Sequence, residues 1–351
     1  MIRIALIPGD GVGPEVVREA ERVLESCVRA GLVEIRTEVF PHGADHYLST
    51  GETLSEESFA RLRDEFDAIL LGAVGDPRVP DGRHARDILL GLRFHLDLYI
   101  NFRPARLRLA ELSPLRSADH TPIDFVIFRE NTEGLYTGAG RIEAAGTPAE
   151  RAVSEAIATR SGVERIVRAA FEYARSEGRS KVTLGDKANA VPHVYGLWRR
   201  VFAEVASEYE DIEAETMYVD ALAMQLVRAP ERFEVIVTSN LLGDILSDLA
   251  AELVGGMGLA PSANLNPGVH ALYEPVHGSA PDIVGTGAAN PMAAILSTAL
   301  LLRDEGASEA ANRVEEAVDE ALRAGMRTPD VGGARTTDEV GAWIAHRVEA
   351  G

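Results

Sequence analysis

Cysteine and lysine are nearly absent. Cys27 is the single cysteine in 351 residues, so no intramolecular disulfide and no thiolate metal cluster can form. It falls in an amphipathic helical pattern and reads as a packed side chain. Lys181 and Lys187 are the only lysines; every other permanently basic side chain is arginine. No apolar run is long enough to span a bilayer. The longest, near Met292 to Leu302, contains Ser297 and Thr298. The first residues read as a strand entering a glycine turn, not as an export signal, and the expected location is cytoplasmic. Internal repeats and low-complexity tracts are missing as well. The loop Gly9-Asp10-Gly11-Val12-Gly13 lacks the G-x-G-x-x-G spacing and is followed by no P-loop lysine, so it reads as a plain tight turn.

Acid is abundant. The formal charge is −20, which opposes binding to nucleic acid or anionic membranes. The acid is spread along the chain, as in Glu204 to Asp211, rather than held in a tail. Such a surface suits high intracellular salt, where screening weakens self-repulsion, and a halophilic source is one expectation. A GC-rich genome would also favour arginine over lysine.

Strands and helices alternate, which predicts an α/β protein with a parallel or mixed sheet. Expected strands include Ile2 to Ile7, Val33 to Phe40, Ala68 to Leu71, Asp124 to Phe128, Lys181 to Leu184 and Ile212 to Val219. A helix is expected over Asp87 to Leu96. Glu133 to Arg160 has little periodicity and reads as an excursion from the core.

The chemistry centres on Val235-Ile236-Val237-Thr238-Ser239-Asn240-Leu241-Leu242-Gly243-Asp244-Ile245-Leu246-Ser247-Asp248. It predicts a buried strand, a turn capped by Asn240, and a helix. Asp244 and Asp248 then share one helix face at the C-terminal end of a strand, where open α/β sheets bind ligands. Like charges four residues apart repel, so a cation between them would relieve the strain, although acids also simply favour a helix N-terminus.

Arg93, Arg103 and Arg129 stand among apolar residues and suit bidentate carboxylate recognition. Tyr136 is either packing or a proton donor. Lys187 is either a base or an ion-pair partner of Asp186. The loop Glu274 to Asn290 carries small residues that let a cofactor approach the backbone. Within it, Asp282 can accept from ribose hydroxyls and would oppose a 2′-phosphate.

Taken in order, these pieces resemble the β-decarboxylating dehydrogenases that act on isopropylmalate, isocitrate, homoisocitrate and tartrate. The likeness rests on the Gly9 loop, Arg93 and Arg103, Arg129-Glu130-Asn131-Thr132-Glu133-Gly134-Leu135-Tyr136, Asp186-Lys187-Ala188-Asn189, Asp220, Asn240 to Asp248, and His277-Gly278-Ser279-Ala280-Pro281. The resemblance implies a two-domain isocitrate/isopropylmalate dehydrogenase-like α/β fold with a mostly mixed sheet, not a Rossmann fold. Residues 1–98 and 251–351 would form a discontinuous cofactor-side domain. Residues 99–250 would form the substrate and dimerisation domain, with an arm at about 133–160. A homodimer with shared active sites follows by the same analogy, and its pairing into tetramers stays open.

Residue by residue, the resemblance implies that Arg93, Arg103 and Arg129 hold the carboxylates of a small 2-hydroxy diacid. Asp244 and Asp248 would bind Mg²⁺ or Mn²⁺ with Asp220 of a second copy. Lys187, also from that copy, would help take the hydroxyl proton, and Tyr136 would protonate the product. His277, Gly278, Ser279, Ala280, Asp282 and Asn290 would line the adenosine side of NAD. NADP-using isocitrate members place Lys-Tyr where Asp282-Ile283 stands.

The helix before Arg93 discriminates among substrates. Isocitrate members carry serine and asparagine six and four residues before this arginine; here Asp87 and Leu89 stand there. Homoisocitrate members carry arginine three residues before it; here it is Leu90. Leu89 and Leu90 would wall a branched alkyl group, which favours 3-isopropylmalate, and hence leucine biosynthesis, over isocitrate or homoisocitrate as the expected substrate. Two features depart from that pattern: the stretch Arg129 to Tyr136 is closer to isocitrate and homoisocitrate members, and Arg86 replaces a glutamate frequent near the nicotinamide. The rival outside enzymology is a two-lobed small-anion binding protein, disfavoured by the missing export signal and by Lys187, Tyr136 and Asp244.

Overall fold

The computed structural model describes residues 1–116 and 122–351. It divides into two compact units. The first comprises Met1–Leu98, the stretch beginning at Arg106, and Ala251–Gly351; the second comprises Tyr99–Ala105 and the stretch ending at Ala250. Residues 106–116 thus differ from the expectation that placed all of 99–250 in one domain. The reason is local: Arg108 reaches Asp319 at 2.7 Å, Arg106 reaches Glu315 at 3.2 Å, and Leu112 packs on Gly255.

In the first unit the strand order is Ile35–Val39, Ile2–Gly9, Ala68–Ala73, His270–Pro275, Pro261–Asn266. The first four run parallel and the last is antiparallel to its neighbour, so the sheet is mixed. Alternation along the strands sets two faces. Ala5 and Ile7, with Ile69 and Leu71, meet Leu62, Ile88 and Leu92 on one side. The helices Gly13–Arg29, Met292–Asp304 and Thr337–Ala350 pack together as a separate layer. Met292–Asp304 is apolar nearly all round and almost wholly buried, as expected of a central helix. Cys27 is buried, and burial pushes its thiol up to about 12, so it is an inert packing residue.

The second unit orders its strands Ile100–Arg106, Asp124–Glu130, Val235–Thr238, Lys181–Asp186, Glu213–Tyr218. The last four are parallel, so their C-terminal ends lie along one edge. The helices Arg160–Ser176 and Pro192–Ala206 cover this sheet. The expected excursion contains a two-stranded antiparallel hairpin, Gly140–Glu143 with Arg151–Ser154. Among the described residues, no helix is long and apolar enough to cross a membrane.

Candidate active site

Val235–Thr238 is buried along its whole length and feeds the helix Asn240–Leu253. Asn240 does not cap that helix as expected. It is the first helical residue, and its side-chain oxygen accepts from Arg129 Nε at 3.0 Å and Nη2 at 2.8 Å. Arg129 arrives from the neighbouring strand, where it pairs in register with Thr238. Its Nη1 ion-pairs with Asp244 Oδ1, and its guanidinium lies 5.3 Å from the Tyr136 ring centroid. Tyr136 donates to the other oxygen of Asp244 at 3.0 Å. A buried cation, a phenol and a half-exposed carboxylate therefore meet at one point.

Two supporting residues were not legible as functional. A Cβ on Gly243 would sit 2.6 Å from Arg129 Cγ, so only glycine lets the arginine cross the helix. Glycine inside a helical pattern was the available signal. Glu130 is buried, and burial pushes its carboxyl up; it accepts from Thr132 N, Thr132 Oγ1 and Glu133 N, each at 2.8 Å. These bonds fix the turn that delivers Tyr136.

One helical turn on, Asp248 lies 3.7 Å from Arg103, which also donates to Asn101 at 2.7 Å and to Ser247 at 3.3 Å. Arg129 and Arg103 thus each pair with one of the two aspartates within the chain. Burial raises the Asp248 carboxyl and Arg103 opposes that rise. Among the described residues, no three His, Cys, Asp or Glu side chains gather as a metal site, so Asp220 does not join Asp244 and Asp248 here.

Asp220 pairs instead with Lys187, Nζ to Oδ1 at 2.7 Å. This corrects the alternative that Lys187 pairs with Asp186, which is fully buried and bound to Arg199. The Lys187 ammonium holds the Asp220 carboxyl below the usual range.

In the first unit, the helix Arg83–His95 starts earlier than expected. His84, in its first turn, is buried and meets Asp10 Oδ2 at 2.8 Å; Asp10 also accepts from Ala44 N at 2.6 Å and Gly75 N at 2.7 Å. Ile88 and Leu92 continue that core face. Leu89 packs at the margin of the same core, so it is only partly the free wall expected of it. Leu90 is half-buried and lies three residues from Arg93, on its helix face. Arg93 is 5% exposed, and its Nη2 contacts Glu274 at 2.9 Å while its buried Nε has no partner. An orphaned guanidinium N–H is a ready anion donor.

The expected cofactor loop folds onto the glycine loop. Val12 N donates to Ser279 O at 2.9 Å, and Gly285 N donates to Glu15 at 2.8 Å. A Cβ on Gly11 would strike Ser279 O at 2.0 Å, so the tight turn is required. His277 Nε2 is shut from solvent without a partner, and burial holds the ring below its ordinary pKa. Nothing lies within 4 Å of a Cβ placed on Gly278, Asp282 is exposed, and Ala280 adopts φ 39°. An open glycine beside an orphaned imidazole nitrogen is a fitting cradle for a nucleoside. Asn290 is already engaged: it donates to Asp330 at 3.0 Å and accepts from Met292 N at 3.0 Å.

Residues 3–344 match the family model described as isocitrate/isopropylmalate dehydrogenase. A 3-isopropylmalate dehydrogenase of Streptomyces griseus subsp. griseus is 47% identical over 349 residues, 99% of this chain and 98% of that protein. Another, from Clavibacter sepedonicus, is 48% identical over 346 residues, covering 97% and 96%. The crystal structure of isocitrate dehydrogenase from Methylococcus capsulatus superposes with a TM-score of 0.91 at 40% identity, covering 99% of this chain and 100% of that one. The TT0538 protein of Thermus thermophilus gives 0.87 at 37% identity, covering 99% of this chain and 68% of that one. With its mixed-sheet α/β units and its match along nearly the whole chain, this protein belongs to the isocitrate/isopropylmalate dehydrogenase family.

Proposed function

We propose that the chain catalyses metal-dependent oxidative decarboxylation of 3-isopropylmalate to 4-methyl-2-oxopentanoate with reduction of NAD. The observation that carries the reading is the convergence of Arg129 and Tyr136 on the two oxygens of Asp244. It supplies a fixed cation for a substrate carboxylate and a phenol for proton return beside a metal carboxylate. Arg93, Arg103 and Arg129 hold the carboxylates. Lys187 helps take the C2 hydroxyl proton, and Tyr136 returns a proton to the carbon that loses CO₂. Bound NAD would supply hydride-accepting capacity, and Mg²⁺ or Mn²⁺ held by the protein's carboxylates would supply Lewis acidity. Hard carboxylate oxygens from Asp244, Asp248 and a second copy's Asp220 suit either ion. His277, Gly278, Ser279, Ala280 and Asp282 receive the adenosine side, with Asn290 shaping the pocket two residues before the helix Met292–Asp304.

A homodimer is part of the proposal. Met224, Ile245 and Ile142 are 69%, 60% and 64% exposed and offer apolar surface for a partner to cover. An isolated two-stranded hairpin such as Gly140–Glu143 with Arg151–Ser154 is marginal alone and gains from a partner surface. Among the described residues Asp220 does not gather with Asp244 and Asp248, which accords with a metal set drawn from two copies.

Isocitrate is the second reading, favoured by the likeness to the Methylococcus capsulatus enzyme. Leu90 beside Arg93 opposes it, because leucine cannot hydrogen-bond a third carboxylate. The test is NADH formation from a panel of 2-hydroxy diacids with Mn²⁺, run with NAD and NADP at low and high salt. Turnover confined to isocitrate would overturn the substrate assignment.

A further inference from the structure

Lys187 begins a loop and Asp220 lies in the first turn of the helix Val219–Arg228, yet they meet at 2.7 Å. The cause lies one layer beneath them. The strands Lys181–Asp186 and Glu213–Tyr218 are parallel neighbours whose register ends on the pair Asp186 and Tyr218. Lys187 is the next residue on one side, and Asp220 follows by two on the other. Parallel pairing stops at this rung, so it does not determine how the Lys187 loop and the helix Val219–Arg228 diverge beyond it. Arg199, on the helix Pro192–Ala206, crosses the same rung. Its Nε donates to Asp186 Oδ2 at 2.7 Å and its Nη2 to Asp186 Oδ1 at 3.1 Å. Its guanidinium also stacks 4.7 Å from the Tyr218 ring centroid. Asp186 is fully buried, and its Oδ1 also accepts from Ala188 N at 2.7 Å, closing the turn around Lys187.

We infer that Arg199 is a positioning residue, a clamp that sets the separation of Lys187 and Asp220 for the reaction. This rests on the reading of Lys187 as the proton acceptor supplied across a dimer. A planar guanidinium suits that role, because one edge engages a carboxylate through two bonds while its face stacks on an aromatic ring. Lysine offers the charge without the fork. Arg199 itself is engaged with Asp186 and Tyr218 rather than with Lys187 or Asp220. A displacement of the base of about 1 Å is enough to cost about a hundredfold in rate.

The first test is steady-state kinetics of Arg199→Ala and Arg199→Lys with 3-isopropylmalate, NAD and Mn²⁺. The expected result is a kcat at least about tenfold lower in Arg199→Ala, with KM for both substrates within about twofold, as for loss of a transition-state contact. Arg199→Lys should recover part of kcat, and it carries the test if the alanine variant does not fold. Raised KM at unchanged kcat, or an unchanged kcat, overturns the assignment.

The second test uses verified heterodimers. Arg199→Ala paired with Asp244→Asn should regain activity, because one site receives an intact Lys187 loop opposite an intact Asp244. Arg199→Ala paired with Lys187→Ala should not, because both copies then bring a damaged Lys187 loop. Strong recovery in this second pair overturns the clamp, since it would place the lesion on the Asp244 side. The control is Lys187→Ala with Asp244→Asn. If that control stays inactive, the shared-site reading falls, and the kcat against KM split alone decides the role of Arg199.

Discussion

The Tyr136 hydroxyl donates to Asp244 Oδ2 at 3.0 Å, while Arg129 holds the opposite oxygen of the same carboxylate. Asp244 is thus oriented by two donors of its own chain. Replacing it with asparagine keeps the shape and removes the charge. Asp244→Asn should weaken Mn²⁺ binding by at least about tenfold, the lower end of losses seen when even a supporting group of a metal ligand is removed. Turnover should fall with it, and the circular dichroism spectrum should not change. Metal titration of activity checks this, and an unaltered Mn²⁺ dependence would refute the ligand role.

Leu89 and Leu90 should separate. Leu89 packs at the edge of the core, so Leu89→Ala should lower the melting temperature. Leu90 shares the Arg93 face and is half-buried. Leu90→Ala should reduce kcat/KM for 3-isopropylmalate by about tenfold or more, in line with about 1–3 kcal/mol for alkyl contacts in a pocket. In the unmodified protein, kcat/KM for 3-isopropylmalate should exceed that for isocitrate. The reverse order would remove the substrate assignment.

Subunit mixing tests the shared site. Lys187→Ala and Asp244→Asn homodimers should both be inactive. Their heterodimer holds one site with both residues intact and should recover up to half the normal activity, because one of two sites is restored. Verified heterodimers without activity would show that each chain uses its own Lys187.

How much of this was legible in the sequence depended on local chemistry. Val235-Ile236-Val237-Thr238 read as a strand because β-branched residues favour a buried pleat. Pro261-Ser262-Ala263-Asn264-Leu265-Asn266 did not, because it has no β-branched residue, and its pairing with His270–Pro275 is long in consequence but silent in composition. The helix Ala44–Thr50 was invisible because seven residues carry too little periodicity. The site residues were legible as types in order. Their partners were not: Asn240 reads as a cap, and only the fold shows Arg129 arriving from another strand to claim it. Likewise, Asp186 is the sequence neighbour of Lys187, yet register and a helix assign it to Arg199.

Gly243→Ala tests the close crossing directly. In an exposed helix, alanine would be the better residue by roughly 1 kcal/mol. Here its Cβ would meet Arg129 Cγ at 2.6 Å. Overpacking of this kind costs about 1–3 kcal/mol, so the variant should lose stability despite its higher helix propensity. It should also lower kcat/KM, because Arg129 must shift away from Asp244. A melting temperature equal to or above that of the unmodified protein would show that the contact relaxes freely.

Cofactor choice should favour NAD over NADP. Asp282 is exposed in the loop whose backbone closes on the glycine turn, with Val12 N on Ser279 O at 2.9 Å. A ribose 2′-hydroxyl beside Asp282 would donate to its carboxylate. A 2′-phosphate would be repelled and would find no donor on Asp282. A lost charge-assisted hydrogen bond costs roughly 1.5–3 kcal/mol, which is about one to two decades in affinity. The expected outcome is therefore a strong preference, not absolute exclusion. Asp282→Lys combined with Ile283→Tyr supplies a cation and a hydroxyl and should shift the ratio of kcat/KM toward NADP. The shift should be incomplete, because the rest of the loop is unchanged. Salt screens the charge term, so both cofactors must be compared at one ionic strength. Equal or better kcat/KM with NADP in the unmodified protein would show that Asp282 does not face the ribose.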